Sequence, residues 1–157
     1  MTSFNQLIIS PNIQFTFSKQ KYPTSNIDPR SSEFKKHYYP NRIQMLGKKE
    51  EYECAKYIDK LENVETWIRN IDRRPDYSFW LQTSTDKFYP DFILKLINGK
   101  ILVIEYKGED RTTNDDSKEK NKIGSVWEDL NPNVGFVMVS ANDYMHKIKN
   151  KIHRLLH

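Results

Sequence analysis

The sequence predicts an α/β domain built on a mixed β-sheet. Apolar residues recur with helical spacing in three segments, and the segments between them show strand-like alternation or short apolar runs. An Asn98-Gly99 pair, a signal for a tight turn, joins two of these strands. At 157 residues the chain is long enough for one domain with a single core. The predicted order is helix, three or four strands, helix, strand, helix.

Residues 1–33 are predicted to form an N-terminal extension ahead of the main domain, which spans residues 34–157. Ile13, Phe15 and Phe17 alternate as one face of a strand within residues 4–17. Residues 18–33 are polar and contain prolines and serines, which predicts a linker.

Within the domain, the first helix is predicted over residues 48–61, where Cys54, Ile58 and Leu61 share one face. Three strands are then predicted, followed by a fourth after the Asn98-Gly99 turn. They cover residues 64–70, 77–82, 88–97 and 100–107.

A second helix is predicted to begin at the capping box formed by residues 116–119. Its apolar face consists of Ile123, Trp127 and Leu130. Residues 136–140 are predicted to form a buried strand, because an apolar run follows the helix breakers Pro132 and Gly135. A basic amphipathic helix closes the chain and is predicted to bury Met145, Ile148, Ile152 and Leu155.

Composition narrows the functional classes. The formal net charge of +4 permits contact with nucleic acid but does not establish it. The single cysteine, Cys54, excludes an internal disulfide and fits a cytoplasmic protein. No apolar run approaches the roughly twenty residues of a transmembrane helix, so no membrane association is expected. The histidines lack metal-ligand spacing, and there is no glycine-rich phosphate loop or activated nucleophile, so no cofactor-binding motif other than a metal site is predicted.

The candidate site consists of Asp91, Glu105 and Lys107. Strand alternation places Glu105 and Lys107 on one face of their strand. A two-residue turn at Asn98-Gly99 would place Asp91 opposite about position 106 on the neighbouring strand. The pattern therefore predicts two carboxylates and a lysine at the same end of the sheet.

These residue types suit a Mg²⁺ site, with Mn²⁺ as an expected substitute. Mg²⁺ prefers oxygen ligands, which Asp91, Glu105 and the backbone carbonyl of Tyr106 would supply. Lys107 would orient an attacking water or neutralise charge on a phosphate. The alternative is that Glu105 and Lys107 are ordinary polar positions on a half-exposed strand. Charged residues directly after the apolar run at 101–104 favour the site.

Further charged residues have two readings each. Glu51 in the first helix could reach a metal-bound water, or it could simply complement the positive N-terminus of its helix. Lys120 is predicted to face the site and to hold a phosphate or the metal-bound water, and its alternative is a place on a solvated helix face. Lys118 and Lys122 would contact nucleic acid or form a solvated helix face, and Arg69 would contact a DNA backbone or form a structural salt bridge.

Two segments, residues 88–92 and 102–108, resemble the PD-(D/E)XK nuclease superfamily, which has the restriction-endonuclease-like fold. More narrowly, they resemble the C-terminal endonuclease region of type III restriction enzyme Res subunits and related DEAD/DEAH-type helicases. The likeness covers about residues 34–140 and includes further matches at Glu51 ahead of Ala55, at residues 67–70, and at residues 118–120 leading to Trp127.

The resemblance implies a central four-stranded mixed sheet flanked by helices and Mg²⁺-dependent cleavage of DNA. It implies a catalytic set of Asp91, Glu105 and Lys107, with Glu51 as an auxiliary carboxylate. Members of this group carry the module behind an ATP-driven motor, which this sequence does not encode. The chain is therefore expected to work with a helicase or translocase partner or as a fragment of such a protein, and a standalone nuclease is the remaining alternative.

Two other functions remain open. The first is a structure-specific nuclease resembling a junction resolvase, which would require a homodimer. The second is a noncatalytic nucleic-acid-binding or helicase-docking module on the same fold.

Overall fold

The structure, a computed structural model, describes residues 22, 25–47, 49–72, 78–107 and 115–157. Within them lie three α-helices: α1 (Lys49–Lys60), α2 (Asp115–Leu130) and α3 (Tyr144–Leu156). The strands are β1 (Val64–Arg69), β2 (Leu81–Gln82), β3 (Lys87–Phe88), β4 (Phe92–Leu96), β5 (Ile101–Tyr106) and β6 (Val134–Val139). The strand predicted within residues 4–17 lies outside the described residues.

The main sheet has four strands in the order β1-β4-β5-β6. The pairs β1/β4 and β4/β5 are antiparallel, whereas β5/β6 is parallel and is connected by α2. The predicted α/β class and the mixed four-stranded sheet flanked by helices are therefore confirmed.

The helices cover both faces of this sheet. Leu102, Ile104 and Tyr106 of β5 belong to a core cluster with buried residues of α1 and α3. Val103 points to the other face, where it joins a cluster with Ile123 of α2 and its neighbours. The predicted alternation of β5 is confirmed, and it places Glu105 on the same side of the sheet as α2.

The single strand predicted over residues 88–97 is wrong. β3 pairs with β2 in a separate two-stranded sheet, whereas β4 belongs to the main sheet. The break falls at Tyr89-Pro90, because proline has no N–H to continue a ladder. The strand predicted over residues 77–82 is likewise short, since only β2 is regular among its described residues. Asp91 therefore directly follows a break between two sheets.

The turn between β4 and β5 contains three residues rather than the predicted two. The N–H of Leu96 donates to the carbonyl of Lys100 at 2.8 Å, and Gly99 takes the left-handed conformation at φ 87°. The side-chain amide of Asn98 donates to the carbonyl of Leu155 at 3.1 Å, which ties the turn to α3. The observed pairing, with Phe92 opposite Ile104, is displaced by one residue from the predicted register.

Two apolar residues predicted to face inward are exposed. Leu130 is the last residue of α2 and is 43% exposed, and Met145 lies in the first turn of α3 and is 54% exposed. Both lie at helix ends, beyond the area that the sheet covers. Ile123, Trp127, Ile148, Ile152 and Leu155 are buried as predicted.

The described part of the predicted linker packs against the domain. Asp28 is buried, donates its N–H to the carbonyl of Ile43 at 2.8 Å and accepts the N–H of Leu46 at 3.0 Å. A short 3₁₀ helix follows at Ser31–Glu33. The division at residue 33 stays a prediction. None of the described helices is long and apolar enough to cross a membrane.

Candidate metal and catalytic site

Asp91 lies between the ends of β1 and β5 and is held by backbone hydrogen bonds on both sides. Its N–H donates to Ile104 at 3.0 Å, and its carbonyl accepts the N–H of Asn70 at 2.8 Å. The N–H of Tyr106 donates to Asp91 Oδ2 at 2.7 Å. The regular β4/β5 pairing begins at Phe92 opposite Ile104, and Asp91 precedes it in a bend. The carboxylate of Asp91 lies close enough to that of Glu105 to raise the pKa of Glu105. The two carboxylates are therefore neighbours, although Asp91 itself lies outside the regular ladder.

Asn70 braces the bend that carries Asp91. Its buried side-chain amide donates to the carbonyls of Pro90 and Phe79 at 2.8 Å each, and its Oδ1 accepts the N–H of Phe79 at 3.1 Å. An asparagine side chain can satisfy several backbone groups at once, as here. Sequence reasoning assigned Asn70 no role, although its position at the end of a strand was a visible signal.

Glu105 is a buried carboxylate with incomplete hydrogen bonding. Its side chain is 13% exposed, and its Oε2 lies 3.7 Å from Lys120 Nζ. Its Oε1 is buried and has no hydrogen-bond partner in the described part of the chain. Burial, followed by the nearby Asp91 carboxylate, raises the pKa of Glu105 well above its ordinary value, while Lys120 opposes that rise.

Arg69 joins two carboxylates on the α1 side of the site. Its Nη1 lies 3.0 Å from Asp91 Oδ1, and its Nη2 lies 3.0 Å from Glu51 Oε1. The structure therefore brings Glu51 to the site, and it shows Arg69 in the structural salt bridge that was one of its two readings.

The predicted lysines divide into two groups. Lys120 is drawn to the site as expected, and its Nζ also lies 3.1 Å from Asp116. Lys107 follows Glu105 on the same face and is half-buried, and it makes no ion pair with any described residue. Lys118 and Lys122 are exposed on α2 and form no ion pair within the described ranges.

Tyr106 contributes its backbone to the site. Within a strand, the N–H and the carbonyl of one residue point to the same side, and the N–H of Tyr106 points to Asp91. Its carbonyl is therefore turned towards Asp91 as well. Its phenol packs on the opposite face of the sheet, and burial raises the pKa of this group.

This donor set fits a hard divalent cation. Asp91, Glu105 and the Tyr106 carbonyl offer oxygen ligands, and the unpartnered Oε1 of Glu105 is an acceptor that a cation would satisfy. Among the residues that the structure describes, no three His, Cys, Asp or Glu side chains are grouped closely enough to hold a metal ion. The protein ligands would thus be two carboxylates and a carbonyl, with water or substrate completing the shell.

A cavity of about 600 Å³ opens beside Asp91. Its lining includes Arg69, Asn70, Tyr89 and Gln44, so it lies on the side of the site away from α2. Polar and aromatic side chains of this kind can contact a nucleotide.

No family model, no curated protein and no solved structure matches this chain. The likeness to PD-(D/E)XK nucleases rests on the sequence motifs alone.

Proposed function

We propose that the chain is a Mg²⁺-dependent DNA endonuclease domain with a restriction-endonuclease-like core. The observation that carries the proposal is the closeness of the Asp91 carboxylate to Glu105, whose pKa it helps to raise and whose Oε1 is buried without a hydrogen-bond partner among the described residues. A largely buried carboxylate with an unpartnered oxygen beside a second carboxylate is unfavourable unless a proton or a cation binds there.

In this proposal Asp91, Glu105 and the Tyr106 carbonyl hold the metal ion. When bound, Mg²⁺ supplies an acidified water and stabilises negative charge on the phosphate. Lys107 orients that water or contacts a phosphate oxygen, because it shares the face of Glu105 and has no partner among the described residues. Lys120 balances the charge of Glu105.

The DNA would approach across the exposed side of α2, where Lys118 and Lys122 can contact phosphates without breaking an ion pair to a described residue. Arg69 is buried in its two salt bridges, so it contributes to the site rather than to the first contact with DNA. The proposal includes Mn²⁺ as a substitute metal, a helicase or translocase partner and a cytoplasmic location.

Incubation of the purified protein with plasmid DNA and Mg²⁺ tests this function. We expect nicking or linearisation by the wild type, and at least a roughly hundredfold loss in Asp91→Asn and Glu105→Gln, the scale associated with a lost catalytic group. Glu65→Gln is the matched control, since Glu65 is an exposed carboxylate paired with Lys95 on neighbouring strands. Absence of cleavage, or equal cleavage by wild type and both site variants, contradicts the proposal.

One observation favours the noncatalytic nucleic-acid-binding module as a second candidate. Arg69 already neutralises part of the carboxylate charge, and no group of three metal-binding side chains is found among the described residues. This candidate predicts DNA binding in a gel-shift assay without cleavage in Mg²⁺ or Mn²⁺. Molecular mass in solution separately tests the dimeric, resolvase-like alternative.

A further inference from the structure

Arg69 occupies the space between Glu51 and Asp91. Its two terminal nitrogens each lie 3.0 Å from one oxygen of these carboxylates. The side chain is 13% exposed, so both contacts are shielded from water. A guanidinium in this place is a permanent positive charge, because arginine does not lose its proton in proteins.

The backbone around Arg69 fixes that charge in position. Its N–H donates to His37 Nε2 at 3.0 Å, and its carbonyl accepts the hydroxyl of Tyr22 at 2.8 Å. Its guanidinium lies 5.4 Å from the centre of the Phe92 ring. The positive group is therefore supported by neighbouring side chains rather than carried on a loose surface side chain.

From this geometry we infer that Arg69 replaces a second metal ion, so that the site binds one divalent cation and not two. The inference rests on the proposed function in that it assumes a metal at Asp91 and Glu105. Two-metal sites place the ions about 4 Å apart and share a carboxylate between them. In this protein Asp91 is the carboxylate that two ions would have to share. Arg69 already contacts its Oδ1, so only the space between Asp91 and Glu105 remains for one ion.

The summed charge of the side chains around the site also favours one bound ion over two. In their ionised, metal-ligating form, Glu51, Asp91 and Glu105 carry three negative charges, and the side chains of Arg69 and Lys120 that contact them carry two positive charges. One divalent cation changes the sum for these five groups from −1 to +1, whereas a second would bring it to +3 beside a guanidinium. Like charges so close in a partly buried site are strongly unfavourable.

Mn²⁺ titration by calorimetry, with bound ions counted by electron paramagnetic resonance, tests this inference without measuring cleavage. The wild type is expected to bind one Mn²⁺ per chain. The substitution Arg69→Met removes the positively charged guanidinium, and the variant protein is expected to bind a second Mn²⁺ between Glu51 and Asp91. The double variant Glu51→Gln/Arg69→Met removes a ligand of that second ion and is expected to return to one.

Lys120→Met is the matched control, because it removes the other cation that contacts a carboxylate of the site. It is expected to keep one Mn²⁺ per chain. Two ions in the wild type, or a single ion in a folded Arg69→Met, overturn the inference. If Arg69→Met does not fold, the wild-type count alone decides it.

The outcomes separate the inference from the proposed function. One Mn²⁺ in the wild type without cleavage of DNA removes the nuclease and supports the inference. Two Mn²⁺ with cleavage retain the nuclease and overturn the inference. No binding of Mn²⁺ overturns both.

Discussion

Asp59 is buried and Glu105 is largely buried, and the surroundings of these two carboxylates differ. Asp59 in α1 is 9% exposed and accepts three N–H groups. These are the backbone N–H groups of Lys35 at 3.0 Å and Lys36 at 2.8 Å, and the indole of Trp67 at 2.9 Å. Glu105 has one lysine at 3.7 Å and a buried oxygen without a partner among the described residues.

The difference separates a structural carboxylate from a candidate functional one. Asp59 connects residues 35–36 to α1 and β1, and each contact is a donor from the protein itself. Glu105 instead faces a second carboxylate, Asp91, which together with burial raises its pKa. Buried polar groups in proteins are nearly always satisfied, so this exception beside another carboxylate supports the cation site that we propose.

Removal of the satisfied carboxylate should cause the largest loss of stability. Asp59→Ala leaves three donors without an acceptor, and we expect the free energy of unfolding to fall by about 3 kcal/mol. Urea denaturation followed by tryptophan fluorescence measures this change. Asp129→Ala, at an exposed position of α2, serves as the control and should change stability by less than about 0.5 kcal/mol. A loss below about 1 kcal/mol for Asp59→Ala would contradict the assignment.

The region around Asp59 also contains His37, and protonation of His37 should destabilise the protein in acid. Burial lowers the pKa of His37 to about 4, although its contact with Tyr39 and the charge of Asp59 oppose this shift, while Arg42 adds to it. Its Nε2 accepts the N–H of Arg69, so protonation there would destroy a hydrogen bond. Because the unfolded chain takes up this proton near pH 6.5 and the folded chain only near pH 4, stability falls as the pH drops between these values.

We expect His37 alone to lower the free energy of unfolding by about 2 to 3 kcal/mol between pH 7 and pH 4. Unfolding free energies of the wild type and His37→Gln, measured across this range, isolate the contribution, since other groups titrate in both proteins. Parallel pH profiles for the two proteins would rule out the linkage.

A divalent cation should stabilise the incompletely satisfied site. At a Mg²⁺ concentration roughly ten times the dissociation constant, binding contributes about 1.4 kcal/mol, which is a rise in Tm of about 3 to 5 °C for a domain of this size. Asp91→Asn should lose this rise, whereas Glu65→Gln should keep it. Differential scanning fluorimetry with and without Mg²⁺ provides the comparison, and an equal rise in all three proteins would show that the cation binds elsewhere.

The smallest effect is expected when the charge of Glu105 is removed without metal. Glu105→Gln keeps the shape of the side chain and removes a buried charge that faces Asp91, so we expect the free energy of unfolding to rise by about 1 kcal/mol at pH 7. The matched variant Glu65→Gln should leave stability unchanged within about 0.5 kcal/mol. Destabilisation by Glu105→Gln would show that this carboxylate is structural, like Asp59.

The sequence predicted which face of a helix or strand each residue occupies better than it predicted where the helices, strands and turns end. Alternation along β5 correctly predicted that Glu105 and Ile104 lie on opposite faces of the sheet. Helical spacing correctly predicted that Lys120 faces the site. The turn length was wrong, because Leu96 rather than Ile97 pairs with Lys100 and Gly99 takes the left-handed conformation within the turn. Helix ends were wrong at Leu130 and Met145, because periodicity does not show where the covering sheet stops.

The candidate site was only partly accessible from the sequence. Its carboxylates and lysines were visible as residue types at a strand spacing. The brace formed by Asn70 was not predicted, and the salt bridge offered for Arg69 had no assigned partners, since these contacts depend on groups contributed by other elements. Asp59 also gave no signal, because an acidic residue on a helix is usually solvated.

The sequence by itself determined the α/β class and the alternation of β5, which puts Glu105 on the opposite face of the sheet from Ile104 and Tyr106. These features follow from local periodicity and side-chain direction. Only the tertiary structure decided which carboxylate is satisfied and which is not. It also decided that Asp91 lies beside Glu105 and that Arg69 lies against Glu51. Burial and charge pairing depend on distances between segments that lie far apart in the chain, and local pattern does not contain those distances.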